Sequence, residues 1–126
     1  MNHLITKEQF DLLFQGNDLV FFMKKVKGDY EYVYLNNTAS TFMNNNVVGR
    51  LMGSSLPENA FKVIKENYNR AIETGHQIDY ADYSYYLSEM RKYETSVRPI
   101  FHDGEKFVLA VYRSMPRLAL KARWKL

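Results

Sequence analysis

The sequence predicts an α+β domain built on an antiparallel sheet, with its helices gathered in the middle of the chain. Three observations predict it. An early stretch, "LVFFMKKVKGDYEYVYLN", places two β-branched and aromatic runs on either side of Gly28-Asp29. A helical period then runs from about Leu56 to Thr74 and stops at Gly75. From Gln77 the period changes to two and holds to Arg113, long enough for three more strands.

Taken in order, Thr6 to Gln15, "TKEQFDLLFQ", reads as a short helix. Thr6 and Gln9 stand at capping-box spacing, Phe10, Leu13 and Phe14 share a face, and Gly16-Asn17-Asp18 ends it. Leu19 to Val26 and Tyr30 to Leu35 form the arms of a hairpin. "NNTASTFMNNN" is polar around one short helical turn, which Asn36 or Asn37 caps and from which Phe42 and Met43 point inward. Gly49 and Gly53 punctuate the next loop. In the long helix Ser55 and Glu58 have capping-box spacing, and Pro57 is tolerated in the first turn. Its apolar stripe is Ala60, Ile64, Tyr68 and Ala71-Ile72, with Phe61 beside it. The last three strands are about Gln77 to Tyr86, Arg91 to Phe101 and Lys106 to Arg113, joined by "LSEM" and "HDGE". The chain divides into a helix over 1–15, a sheet-bearing domain over 16–114 and a basic tail over 115–126.

Bulk properties narrow the function. The chain of 126 residues suits one domain, and 46% hydrophobic residues are ample for a core. No apolar run approaches the roughly 20 residues needed to span a bilayer, and the first ten residues lack the layout of a secretory signal. There is no cysteine, hence no disulfide, thiolate metal site or thiol nucleophile. A cytoplasmic protein is expected. The net charge of +3 comes from the tail, where Arg117, Lys121, Arg123 and Lys125 meet no acid. The body holds 13 Lys and Arg against 14 Asp and Glu, so nucleic acid is not an expected partner.

The chemistry-bearing feature is aromatic. "DYADYSYY", Asp79 to Tyr86, holds four tyrosines in eight residues, and Tyr93 and Tyr112 follow. Alternation on the fourth strand puts Tyr93, Thr95 and Val97 on one face and Glu94, Ser96 and Arg98 on the other. On the fifth strand Val108, Ala110 and Tyr112 share the inner face. The "LSEM" turn places Ala81 and Tyr83 inward and Tyr80 and Tyr86 outward, an assignment that a one-residue slip would reverse. No acid–base or nucleophile spacing accompanies these phenols, so no catalytic set is expected. No paired-His metal motif or phosphate-cradling Gly loop is present. "DGE" at Asp103 to Glu105 is turn chemistry.

Several stretches in this order resemble the PAS domain family. "YVYLNNTAS" resembles its second strand running into a first small helix. "VVGR" followed by "LPENAFKVIKENYNRAIETG" resembles its loop and long central helix. "YETSVRPIFHDGEKFVLAVYRS" resembles its last two strands. The likeness runs from about Phe14 to Ser114. It implies a five-stranded antiparallel sheet with helices packed on one face, and often a small-molecule cavity between them. It also implies a domain that senses, dimerises and controls an effector in a longer chain, of histidine kinase or diguanylate cyclase type, rather than an enzyme.

By that resemblance the cavity candidates are Tyr83, Tyr93, Thr95, Tyr112, Phe42, Ile64 and Tyr68. The inner tyrosines stand near positions that touch the flavin ring in light-oxygen-voltage members. Those members need a cysteine after "GRN"; here "GRLM" puts Met52 near that place, and a thioether cannot form the adduct. The p-coumarate photoreceptors need a cysteine too. Haem-binding members carry a His on or near the long helix; Leu56 to Thr74 has none, and His76 just beyond it reads as a solvated loop residue. Haem and a cysteine-linked chromophore are therefore not expected, and the ligand is unnamed. A homodimer is expected through Phe10, Leu13, Phe14, Tyr80 and Tyr86. Two alternatives stay open: tyrosines that simply fill the core of a ligand-free interaction module, and a small α+β enzyme of convergent layout.

Overall fold

The structure is a computed structural model. It describes residues 18–43, 46–86 and 89–114, without the side chains of 82–91 and 114. The expected N-terminal helix, with Phe10, Leu13 and Phe14, and the basic tail lie outside the described residues.

The first hairpin joins β1 (Leu19–Val26) to β2 (Asp29–Leu35). Its turn requires a left-handed residue, which Gly28 supplies at φ 73°. Three helices follow: α1 (Asn37–Met43), α2 (Met52–Ser55) and α3 (Glu58–Thr74). β3 (Ile78–Tyr86), β4 (Glu89–His102) and β5 (Glu105–Ser114) complete one antiparallel sheet in the order β2-β1-β5-β4-β3. The chain thus leaves the sheet at one edge strand and re-enters at the other, with the helices packed over the face between. The β4–β5 turn carries positive φ at both Asp103 and Gly104, the backbone pattern of a tight hairpin turn that matches strand twist.

Asn36 sets the passage from β2 into α1. Its Oδ1 accepts from Ala39 N at 2.9 Å and Val20 N at 3.2 Å, and its Nδ2 donates to Asp18 O at 2.9 Å. One side chain, 4% exposed, caps the helix and ties down the start of β1. The capping box expected at Ser55 and Glu58 is not made. The residue before α3 is Pro57, with no side-chain cap, and the helix starts at Glu58 rather than Leu56. Ser55 is occupied elsewhere, its Oγ hydrogen-bonded to Tyr32 Oη at 3.0 Å. The expected stop holds: Gly75 adopts φ 71° and its N–H donates to Ala71 O.

Period-two alternation sorts the sheet onto two apolar faces. Leu19, Phe21 and Met23 of β1, Tyr93 and Val97 of β4 and Val108 and Ala110 of β5 pack with Tyr68, Ala71 and Ile72 of α3. Val20, Phe22, Tyr34 and Phe107 form a second cluster on the opposite face, with Ile100, Leu109 and Val111 against it. Phe22 and Phe107 stack there with ring centroids 5.1 Å apart. On β2 the register steps from Phe22↔Tyr34 to Met23↔Tyr32, which leaves Val33 without a counterpart. That bulge reverses the phase. Tyr30 and Tyr32 face the helices, whereas Tyr34, of the same parity, lies in the second cluster.

The third strand corrects an expectation. Ile78 pairs with Val97 and Tyr80 with Thr95, so Ile78 and Tyr80 are the inward residues and both pack on the main core. Asp79 and Ala81 are exposed, and Tyr83 shares their phase, paired with Lys92. Tyr86 falls in the phase of Tyr80, paired with Glu89. The expected inward Ala81 and outward Tyr80 are therefore off by one residue, and the side chains of Tyr83 and Tyr86 lie outside the described ones. Polar and apolar residues occur in both phases of "IDYADYSYY", so burial does not single out one register from the sequence.

A buried row of hydroxyls beneath the long helix

Three adjacent strands bring one row of hydroxyl side chains to the helix-facing side. Tyr80 of β3 pairs with Thr95 of β4, and Thr95 pairs with Tyr112 of β5. Both tyrosine side chains are long enough to reach across the short Thr95 between them. Their hydroxyls lie 3.5 Å apart. From the other side α3 contributes Tyr68, whose hydroxyl is 2.9 Å from that of Tyr112. Phe21 fixes the Tyr112 ring edge-on at a centroid distance of 5.3 Å.

Thr95 is 2% exposed, and its Oγ1 is, among the described residues, the buried side-chain oxygen with no hydrogen-bond partner. A buried hydroxyl without a partner costs about 1–3 kcal/mol relative to a satisfied one. The row therefore combines phenols that satisfy one another with a hydroxyl whose bonding capacity is unspent.

Burial dominates the electrostatics of these phenols. Burial pushes the Tyr68 hydroxyl well above the usual tyrosine range, and the nearby Tyr80 phenol adds to the shift. Tyr112 is raised in the same way, first by burial and then by Tyr68. Tyr112 is partly buried as a whole, and its hydroxyl lies between those of Tyr68 and Tyr80. Tyr30, fully buried, is also raised by burial and then by the Glu73 carboxylate. Its ring meets Tyr68 edge-on at 5.1 Å, and its hydroxyl donates to Asn69 Oδ1 at 2.8 Å. Lys25 Nζ donates to the same Asn69 oxygen at 3.3 Å, so a polar chain leads from the core toward the edge of α3. Tyr32 completes the floor, raised by burial and held by Ser55. Phenols held protonated in this way are poor bases and poor nucleophiles.

The structure brings together Thr95, Tyr112 and Tyr68 of the expected cavity residues. Tyr93 is buried one step along β4 with the Phe42 ring edge-on to it at 6.0 Å, and Ile64 packs on the same core. Tyr83 is out of phase with the row. Tyr80 takes the place expected of it, and the site gains Tyr30, Tyr32 and Asn69, together with Ser55, which the sequence marks only as a helix cap. The β2 bulge hides Tyr30 and Tyr32 from simple alternation, and neither Ser55 at the end of α2 nor Asn69 within α3 leaves a periodic mark. Met52, expected near a chromophore-linking position, is 1% exposed and packed in the core. His76 is exposed. Among the described residues no group of three or more His, Cys, Asp or Glu could hold a metal ion.

No family model matches the sequence, and no curated protein matches it. Solved structures do. A PAS domain from Colwellia psychrerythraea superposes with a TM-score of 0.63 at 13% identity, over 86% of this chain and 95% of that one. A sensory box sensor histidine kinase from Vibrio cholerae gives 0.64 at 16% identity, over 85% and 86%. The fold is that of a PAS domain. The Vibrio cholerae VqmA dimer, a LuxR-type receptor, gives 0.71 at 16% identity and covers 91% of this chain but 53% of its own. This chain thus spans about half of that protein's length. Light-oxygen-voltage proteins also share the PAS fold seen here, but this chain lacks the cysteine an adduct would need.

Proposed function

We propose that this PAS-like domain is a sensory module that binds a small ligand at the hydroxyl row between α3 and the sheet. It self-associates through the segment that carries Phe10 and Phe14 and controls an effector, of histidine kinase or diguanylate cyclase type, outside this chain. The observation that carries the ligand reading is the unpartnered, buried hydroxyl of Thr95 between Tyr80 and Tyr112. A polar group is retained in a protein core when something satisfies it, and a ligand atom is the partner proposed here. The fold shared with a sensor histidine kinase supports the sensory role. Raised phenol pKa values favour recognition over catalysis.

Native mass spectrometry of the protein purified from cells tests ligand and assembly together. The expected spectrum is a dimer carrying a non-covalent small-molecule mass. A bare dimer would favour the ligand-free interaction module, with Tyr68 and Tyr112 satisfying each other in a filled core.

A further inference from the structure

The two contacts in the phenol chain are unequal. Tyr68 and Tyr112 meet at 2.9 Å, whereas Tyr80 and Tyr112 meet at 3.5 Å, the outer limit for a hydroxyl pair. The long contact is the weak joint, and Thr95 stands directly beneath it in the strand order. The neighbouring row on the same face is Ile78, Val97, Ala110 and Phe21, all apolar. Among the described side chains of these two rows none is charged.

We propose that the ligand is an uncharged small molecule with a hydrogen-bonding oxygen or nitrogen, which enters at the Tyr80–Tyr112 joint and bonds to Thr95 Oγ1. This rests on the ligand-binding reading above and adds its chemical class. An inserted polar atom exchanges one long hydroxyl contact for bonds to two phenols and to the unspent Thr95 hydroxyl. An anion would accept bonds from the same hydroxyls, but its desolvation costs far more than that of a neutral group. An ion of either sign loses its hydration on entering a site where burial already holds phenols in their neutral form, and no described counter-charge lines the row.

The test uses four probes of one ring size at neutral pH: phenol, toluene, benzoate and benzylammonium. Each is titrated into the whole protein while the backbone amide resonances of Thr95 and Tyr112 are followed. The expected order puts phenol first, with benzoate and benzylammonium weaker by roughly tenfold or more. Thr95→Val should remove the advantage of phenol over toluene, and Thr95→Ser, which keeps the hydroxyl, should retain it. An unchanged amide spectrum elsewhere shows that both variants fold. Benzoate or benzylammonium binding as tightly as phenol would overturn the ligand class, as would phenol affinity that survives Thr95→Val; the sensory reading would stand. Absence of binding by every probe, together with no mass retained on protein from cells, would overturn both.

Discussion

At Thr95 a side chain that could have been valine is a threonine, at a position 2% exposed in a β-strand. Valine has the same shape and β-branching and no hydroxyl to desolvate. Thr95→Val should therefore leave the ligand-free domain as stable as the wild type or more so, by about 1 kcal/mol. Chemical denaturation checks this, and a clear loss of stability would mean that the hydroxyl has a protein partner. The phenols make a second prediction. Burial raises the Tyr68 and Tyr112 hydroxyls above their ordinary value of 10.0. An unfolded chain releases those protons first, so stability is intact below pH about 10 and falls as pH rises from there toward the folded values. Denaturation midpoints from pH 8 to 11.5, read beside tyrosinate absorbance, should show the decline begin above about 10. A flat profile would place these hydroxyls in water.

Strand phase is the element-scale question, because a slip of one residue exchanges the faces of a strand. On β3 the structure puts Ile78 in the core and Ala81 in solvent. Ala81→Lys should change stability by no more than about 0.5 kcal/mol, whereas Ile78→Lys should cost about 2 kcal/mol or more through an unpaired charge at the core. Equal effects would contradict the register. Much of the fold was legible in the sequence. Gly28 and Gly75 fix turns that only their backbone freedom allows, and charged residues on β4 separate its faces unaided. The phase of β3 was not legible, because both of its faces carry aromatic residues. Nor were the inward Tyr30 and Tyr32, because the extra residue at Val33 breaks the alternation that would reveal them. The missing capping box has a similar cause: local spacing favoured Ser55, but a tertiary partner, Tyr32, holds its hydroxyl. Of the candidate site, Tyr68, Thr95 and Tyr112 could be read from periodicity, and the joint between Tyr80 and Tyr112 could not.

For the whole molecule, the sheet separates two apolar regions, one beneath the helices and one around Phe22 and Phe107. The first is proposed to take the ligand, and self-association is proposed to run through Phe10 and Phe14. Replacing Phe10 and Phe14 with Ser should shift sedimentation toward monomer while leaving small-molecule retention unchanged. An unchanged dimer would place the interface elsewhere. The most direct measurement is a crystal structure of the protein purified from cells, read at Thr95. The predicted result is non-protein density with an atom about 3 Å from Thr95 Oγ1 and the Tyr80 and Tyr112 hydroxyls parted around it. Closed tyrosines with the Thr95 hydroxyl bonded only to the protein itself would contradict ligand binding at this row.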